Sequence, residues 1–321
     1  MELAFRIVTY DEIEPEEATL IDQVCFGVPI TPDRVRQIRK LDRRCSDYYG
    51  VYALDDDGRA VSQVVVLHID TQTTEGLESV AGIAAVGTLP GHLRRGMSTA
   101  LMEKAHELSQ ERGIRISFLL TFSSLVAHEM YLKLGYKTFA TFDRGYKHLR
   151  RRTRKRHGIQ LRGFKIKDAP KLDRLFSLQT EGRLGFIHRQ NGFIAMKVRT
   201  HQVMPERIKV AGWHGKTVGY LRVESEADFV STEELVGLDD ETRHGILEEV
   251  ENLPKARWAI CYGLCDARIS QVYQSRGYNV HKPGFGRVMA TCLDSSLSGD
   301  EISELYGVDD DRFVIYPFDT F

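Results

Sequence analysis

The chain has 321 residues, of which 42% are hydrophobic and 28% are charged, and its formal net charge is −1. This length allows two domains with cores of their own, and the balanced charge excludes a general electrostatic attraction to nucleic acid or to an anionic membrane. No apolar run approaches the ~18 residues that a membrane-spanning helix needs. We therefore expect a globular protein with no nucleic-acid partner and no membrane partner.

The N-terminus and the cysteines indicate the cellular compartment. The segment from Asp11 to Glu17 is acidic, whereas a secretory signal needs a basic start followed by an apolar stretch. The five cysteines are odd in number and scattered, so we expect free thiols. Cys261 and Cys265 have no second pair of ligands, and no metal site is predicted. These features together predict a cytoplasmic protein.

Strand and helix signals alternate along the first half of the chain. Asp55 to Gly58 is a polar turn between two apolar strands, which is typical of a hairpin, and Glu78 to Thr88 predicts a third long strand. Apolar residues at helical spacing then predict a helix, which Gly113 ends. These apolar residues are Met97, Leu101, Ala105 and Leu108. Alternation from Ile114 to Leu120 predicts a further strand, and the whole pattern favours an α/β layered domain.

Between the third strand and the helix lies the segment Val86 to Met102, VGTLPGHLRRGMSTALM. A Pro-Gly turn follows the strand, and Arg94, Arg95 and Gly96 open the helix. A helix start leaves backbone N–H groups unpaired and carries about half a positive charge, and a glycine lets the backbone approach an anion closely. The segment therefore fits a pyrophosphate, and an ordinary turn with solvated arginines is the alternative.

Two segments of the chain repeat one another. Ser124 to Tyr136 (SLVAHEMYLKLGY) and Asp266 to Tyr278 (DARISQVYQSRGY) share one Tyr-Gly-Tyr spacing, and the two halves also begin alike. In the second half the stretch that corresponds to the phosphate loop is STEELVGLDDETRHGILEEV. Its acidic residues would repel an anion, so we expect one phosphate site per chain.

A basic segment, Lys147 to His157 (KHLRRRTRKRH), separates the halves. A basic run this short is typical of a solvated linker, and contact with an anion is the main alternative. Nucleic-acid binding is disfavoured because no aromatic residues are interleaved with the charges. We interpret residues 148–157 as a basic linker.

The loop and its helix resemble those of the GNAT superfamily of N-acetyltransferases. The family pattern is Arg or Gln, two residues, Gly, any residue, then Gly or Ala. Here Gly96 matches, Ser98 takes the last position, and Leu93 replaces the usual Arg or Gln. The resemblance implies acetyl-CoA as the co-substrate. The residues implied to contact its pantetheine arm are Val86, Gly87 and Thr88. The residues implied to bind the rest of it are Arg94, Arg95, Gly96, Met97, Ser98, Thr99, Ser124 and Ala127.

One intact half followed by a degenerate one resembles the Eis-type (enhanced intracellular survival) acetyltransferases over about residues 1–293. The implied fold is α/β, of the α+β GNAT type, with two tandem GNAT-like domains whose mixed sheets are largely antiparallel. The implied units are a catalytic domain 1–147, the linker 148–157, a degenerate domain 158–293 and a tail 294–321 that reaches the first-domain active site. The chain is too short for the sterol-carrier-like third domain of those enzymes. A homo-oligomer, hexamer or trimer, is also implied.

Acetyl transfer to an amine needs a neutral nucleophile and a proton for the leaving thiol. An amine with a pKa of about 10.4 costs roughly 4.6 kcal/mol to deprotonate at pH 7. The resemblance implies that Tyr131 protonates the thiol and that a backbone N–H near Ala85 and Val86 meets the oxyanion. For Tyr131 the alternative is a packing role, which is the role we expect for the equivalent Tyr273.

The resemblance further implies that the carboxylate of Phe321 acts as the base. An α-carboxyl group titrates near 3.5, so without burial it accepts protons poorly, and it can instead orient the ammonium while water carries the proton. A solvated tail is the alternative. Alternating Phe313, Ile315 and Phe318 favour a docked tail, and Asp319 is expected to make the mouth of the site negative.

We therefore expect an N-acetyltransferase that transfers an acetyl group from acetyl-CoA to a primary amine by direct attack. A catalytically weak acyl-CoA sensor and an oligomeric scaffold are the alternatives. The acceptor, a small-molecule or peptide amine, stays open among aminoglycoside, polyamine, lysine side chain and protein amino terminus.

Overall fold

The structure is a computed structural model that describes residues 5–149, 157–253, 256–295 and 297–320. Phe321 and most of the predicted linker 148–157 lie outside the described residues. In the first half the strands are β1 (Arg6–Thr9), β2 (Cys45–Leu54), β3 (Ala60–Thr73), β4 (Gly76–Thr88), β5 (Ile116–Phe122) and β6 (Lys137–His148). The α-helices there are α1 (Pro15–Phe26), α2 (Pro32–Leu41), α3 (Met97–Gln110) and α4 (Ala127–Lys133).

The second half repeats this alternation and ends in a short helix and strand. Its strands are β7 (Gln160–Gly163), β8 (Leu184–Gly185), β9 (Ile208–Trp213), β10 (Lys216–Glu226), β11 (Phe229–Gly237), β12 (Trp258–Leu264), β13 (Asn279–Cys292) and β14 (Phe313–Val314). Its α-helices are α5 (Ala169–Gln179), α6 (Phe193–Arg199), α7 (Asp240–Glu251), α8 (Ala267–Ser275) and α9 (Gly299–Leu305). No helix in the described ranges is long and apolar enough to cross a membrane.

The strands of both halves join into one mixed sheet. Its main path runs β1-β2-β3-β4-β5-β13-β6-β12-β11-β10-β9-β7. Most neighbours on this path are antiparallel, and each half contributes one parallel pair to it, β4 with β5 and β11 with β12. Off this path, β14 pairs parallel with β8. The predicted fold class, α/β with a mixed and largely antiparallel sheet, is confirmed.

Strand β13 crosses from the second half into the first. The repeat assigns this strand to residues 158–293, yet its residues Gly286 to Cys292 pair antiparallel with Phe122 to Ile116 of β5. The end of β6 pairs in turn with β12. Each half thus completes the sheet of the other, and the unit boundaries 1–147, 158–293 and 294–321 stay predictions from the repeat.

Helices α3 and α1 pack on opposite faces of the first-half sheet. Val64 of β3 belongs to a core cluster with Leu101 of α3, whereas its neighbour Val65 belongs to a cluster with Ile21 of α1. Successive side chains of a strand point to opposite faces, so this division places the two helices on either side. The face that carries α1 continues towards the C-terminal tail through a third cluster that includes Phe118 and Phe313.

The described part of the C-terminal tail is docked, up to Thr320. Strand β14 pairs with β8, and Phe318 is buried. Asp319 is also buried, and its carboxylate accepts hydrogen bonds from Arg189 Nε and Nη2 at 2.7 and 2.9 Å. The expectation that Asp319 makes the mouth of the site negative is therefore wrong, because its charge lies inside the protein and is paired.

Arg189 is the centre of a buried charge cluster at this junction. Its guanidinium also donates to both carboxylate oxygens of Glu234, at 2.8 and 3.0 Å, and lies over the ring of Phe176 at 3.4 Å. Glu234 further accepts the backbone N–H of Phe318 at 2.9 Å. The side chains of Arg189, Glu234 and Asp319 are 4%, 0% and 6% exposed, so solvent cannot replace these contacts.

Replacing Arg189 with Met leaves two buried carboxylates facing each other without a cation. We expect the free energy of unfolding to fall by about 3–5 kcal/mol, as for other buried ion pairs that lose one partner. Lys104→Met, which breaks the exposed pair with Glu107, is the control and should cost less than about 1 kcal/mol. Denaturant unfolding measures both, and equal small losses would contradict the role given to Arg189.

Candidate functional site

Strands β4 and β5 separate near their carboxyl ends and open a gap in the sheet. Their parallel pairing runs from Ala81 with Ser117 to Ile83 with Leu119. Just beyond, β4 carries a bulge, because the register to β3 shifts and Ala85 has a left-handed φ of 47°. A bulge takes backbone groups out of the ladder and aims them elsewhere. Backbone N–H groups of the predicted oxyanion region thus lie at the edge of this gap.

The loop after β4 ends at an uncapped helix start. Gly96, the N-cap of α3, has a φ of 78°, which favours glycine. Among the described residues no side chain accepts a hydrogen bond from the N–H groups of the first turn. The first intrahelical bond is that from the Ala100 N–H to the Gly96 carbonyl. The N–H groups of the first turn therefore stay open to an anion.

A cavity of about 530 Å³ lies directly at this helix start, between α3 and α4. Of the predicted cofactor residues, those that line it are Thr88, Arg94, Arg95, Gly96, Met97, Ser98 and Thr99. Val86 and Gly87 precede it on β4. Leu93, which departs from the family pattern, also lines it and is 55% exposed. Ser124 lies exposed in the turn before α4 and Ala127 is the first residue of α4, and neither lines the cavity.

A chain of hydroxyl groups fixes the helix start to the bulged strand. Ser98 Oγ is hydrogen-bonded to Thr88 Oγ1 at 2.8 Å, and Thr88 Oγ1 to Ser62 Oγ at 2.7 Å. Ser62 also donates to the carbonyl of Gly87 at 3.0 Å. These contacts hold the two sides of the loop at a set distance before any ligand arrives.

Tyr131 lies on α4 and belongs to the core cluster that also contains Leu101 of α3. Its side chain is 6% exposed and meets the ring of Tyr136 edge-on at 6.0 Å. Burial raises the pKa of Tyr131 to about 12. Within the described ranges no hydrogen bond of its hydroxyl is present, whereas Tyr136 is fixed by Ser117 at 2.6 Å and His106 at 2.8 Å. The Tyr131 hydroxyl thus remains a protonated donor at neutral pH.

The second half differs from the first at the positions equivalent to Tyr131 and to the start of α3. The hydroxyl of Tyr273 is hydrogen-bonded to Thr232 Oγ1 at 2.9 Å in a buried position, which supports the packing role predicted for it. Helix α7 is capped by Asp239, whose carboxylate accepts the N–H of Thr242 at 2.7 Å. A carboxylate of the chain itself thus occupies the place where an anion would bind.

Asp22 of α1 was not predicted from the sequence. It accepts a hydrogen bond from Gln63 Nε2 at 2.6 Å, and burial raises its pKa. One turn later Cys25 contacts the carbonyl of Thr88 through its sulfur, at 3.4 Å, so Asp22 lies near the end of β4 on the face opposite α3. The signal in the sequence was Gln63, a polar residue inside the apolar strand AVSQVVVL.

Among the residues that the structure describes, no group of three or more His, Cys, Asp or Glu side chains could hold a metal ion. The five cysteines carry free thiols, as predicted.

Comparison with known proteins agrees with this geometry. Residues 6–139 match the family described as Acetyltransferase (GNAT) domain. No curated protein is significantly similar to the chain. The match supports acyl transfer as the general chemistry of the first half.

Several solved structures share the fold. A GCN5-related N-acetyltransferase from Kribbella flavida has a TM-score of 0.64 at 17% identity, with 91% of this chain and 72% of that chain covered. One from Anabaena variabilis has a TM-score of 0.65 at 16% identity, with 90% and 73% covered. Eis1 from Mycobacterium abscessus has a TM-score of 0.61 at 16% identity, with 90% and 74% covered. These identities show a common fold, and the assignment to the Eis-type group stays a prediction.

Thr88→Val keeps the shape of the side chain and removes the middle of the hydroxyl chain. Two hydrogen bonds are lost, so we expect the free energy of unfolding to fall by about 1–2 kcal/mol. The control is Thr99→Val in the first turn of α3, whose hydroxyl has no hydrogen-bond partner among the described residues. Denaturant unfolding of both variants measures the difference, and equal losses would show that the hydroxyl chain does not hold the loop.

Proposed function

We propose that the protein is an acetyl-CoA-dependent N-acetyltransferase that acts on a primary amine by direct attack. The observation that carries the proposal is the open start of α3, which has a cavity in front of it and the bulged strand β4 beside it. Both elements lie in the part of the chain that matches the acetyltransferase domain. An acyl-CoA has a pyrophosphate for the helix start and a thin arm for a gap between strands.

In this proposal the pyrophosphate lies against the N–H groups of Met97, Ser98 and Thr99, with Arg94 and Arg95 adding charge. The pantetheine arm runs along Val86 to Thr88 into the gap between β4 and β5. Apolar Leu93 removes one charged contact that the family pattern supplies. The two arginines that follow it compensate because they line the same cavity.

The proposed reaction starts with attack of a neutral amine on the thioester carbonyl. The developing oxyanion is met by a backbone N–H at the Ala85 bulge, which is aimed there before the reaction begins. As the carbon–sulfur bond breaks, the Tyr131 hydroxyl donates to the sulfur and supplies its proton. The proton that the amine loses leaves through a base or through water.

Asp22 is our candidate for that base. Burial raises the pKa of Asp22 above that of an ordinary aspartate, towards neutral pH. Asp22 lies on the face of the sheet opposite the proposed CoA pyrophosphate. Because a base must be deprotonated, activity through Asp22 should rise with pH as this group ionises. The carboxylate of Phe321 stays an alternative for the base. A cytoplasmic location and a homo-oligomer, hexamer or trimer, stay predictions.

Acetyl-CoA should bind once per chain, at the first-half loop. Gly96→Glu places a carboxylate and a strained left-handed backbone at the pyrophosphate position, and we expect affinity to fall at least about 100-fold from charge repulsion. Gly215→Glu is the matched control, since its φ of 75° is similar and its Cβ also points into open space. Calorimetry that finds two sites, or equal affinity for both variants, would contradict the proposed site.

Tyr131→Phe should lower kcat about 10²–10⁴-fold with little change in the KM for acetyl-CoA, because the hydroxyl acts as the sulfur leaves. The pKa of about 12 also predicts no loss of activity from Tyr131 ionisation below about pH 11. Tyr273→Phe, the equivalent change in the second half, should leave kcat unchanged. Steady-state thiol release measures these rates, and a fall below about threefold would assign Tyr131 to packing.

A further inference from the structure

A second cavity, of about 600 Å³, lies where the two halves and the tail meet. Leu120 and Phe122 at the end of β5 form one wall, just beyond the point where β5 leaves β4. Alternation along β5 places both side chains on the face opposite α3, since Leu119, the residue before Leu120, packs with the α3 cluster. An amine in this cavity would therefore approach the gap from the side opposite the proposed CoA pyrophosphate.

Strands and tail of the second half form the other walls. Tyr262 and Gly263 of β12 line the cavity, together with Pro317 and Thr320 of the tail. A Cβ on Gly263 would lie 2.6 Å from Pro317 Cγ, so this glycine allows the tail to approach closely. The tail that Arg189 holds in place is thus part of the cavity wall.

The charges that line this cavity are mainly positive. They are those of Arg144, Arg222, Arg287 and Glu233. Glu233 is paired with Arg222 at 2.7 Å, so the one carboxylate side chain among the described residues that line the cavity already has a partner. Arg144 lies over the ring of Tyr262 at 5.2 Å.

Arg287 is the arginine on which the inference rests. It is half-buried on β13, and the hydrogen bonds of its Nη1 go to the main-chain carbonyls of Gly284 and Gly286. No carboxylate among the described residues pairs with it. Within the described ranges the half-buried guanidinium of Arg287 is thus hydrogen-bonded only to carbonyl oxygens and keeps further N–H donors. These donors form a planar fork whose geometry matches that of a carboxylate.

Resting on the proposed function, we propose that the acceptor is an amine that also carries a carboxylate, and that Arg287 binds this carboxylate. A purely cationic polyamine or aminoglycoside would meet the charge of Arg287 in this cavity. Among the described residues no carboxylate side chain is free to offset that charge, because Glu233 is paired with Arg222 and Asp319 with Arg189. An amino acid satisfies both requirements, since its carboxylate binds the arginine and its amine stays free to reach the gap. The aromatic rings of Phe122, Phe142 and Tyr262 favour an apolar or aromatic body between the two groups.

The test compares amines that differ by one carboxylate. The pairs are lysine with cadaverine, ornithine with putrescine, tyrosine with tyramine and phenylalanine with phenethylamine. Thiol release from acetyl-CoA is measured as kcat/KM for each. We expect the carboxylate-bearing member of at least one pair to be preferred about 10-fold or more, the size of a charge-assisted hydrogen bond.

Variants of Arg287 test the assignment to this residue. Arg287→Met should remove the preference by lowering kcat/KM for the amino acid about 10-fold, mainly through KM, and should leave the partner without a carboxylate within about twofold. Arg287→Lys keeps the charge without the fork and should give an intermediate value. Arg174→Met, on the exposed side of α5, is the control and should change neither member. Thermal unfolding of each variant shows whether it is folded.

The outcomes separate the two proposals. Turnover of amines without any preference for the carboxylate, or equal losses for both members in Arg287→Met, overturns this inference and leaves the acetyltransferase assignment in place. Equal losses would also be the result if Arg287 served a carboxylate of the chain itself. A preference for phosphoethanolamine over ethanolamine, with no preference in the four pairs, would overturn the carboxylate in favour of a phosphate. Binding of acetyl-CoA without thiol release for any amine overturns both proposals.

Discussion

Arg189 lies between the carboxylates of Glu234 and Asp319 at the point where the two halves and the tail meet. The low dielectric around these buried groups makes their attraction strong and makes the loss of any one of them costly. Glu234 also binds the backbone N–H of Phe318, and Arg44 of the first half donates to the carbonyl of Asp319 at 3.3 Å. The guanidinium of Arg189 thus links the second half to the tail, and that of Arg44 links the tail to the first half.

The exchange of strands makes the first half dependent on the second. Strand β13 lies between β5 and β6, and without it the edge of β5 that faces away from β4 would be unpaired. A second half that has lost an open helix start can still be retained, because it supplies a strand and two cavity walls to the first. This structural role gives a physical reason for a second half whose corresponding helix start is capped by its own carboxylate.

The two cavities have different origins. The one at α3 is built by residues close together in sequence, and its positive character comes from a helix start and two adjacent arginines. The one at the junction is built by six strands and the tail, and its charge depends on which arginines find a carboxylate. A co-substrate common to a large family fits the first kind of site. The second kind, assembled from distant segments, is where relatives with one fold can differ in acceptor.

The sequence alone determined the local features. Arg94 and Gly96 directly precede α3, and Tyr131 lies within α4. Helical periodicity and the need for a left-handed residue were therefore enough to locate the loop and the helix that follows it. Only the tertiary structure decided how charges are used. Asp319 is 130 residues from Arg189 in the chain, and nothing in its neighbourhood indicates that it is buried and paired. The same holds for Arg287, because the balance of charge in a cavity depends on long-range pairing and burial, which local spacing does not encode.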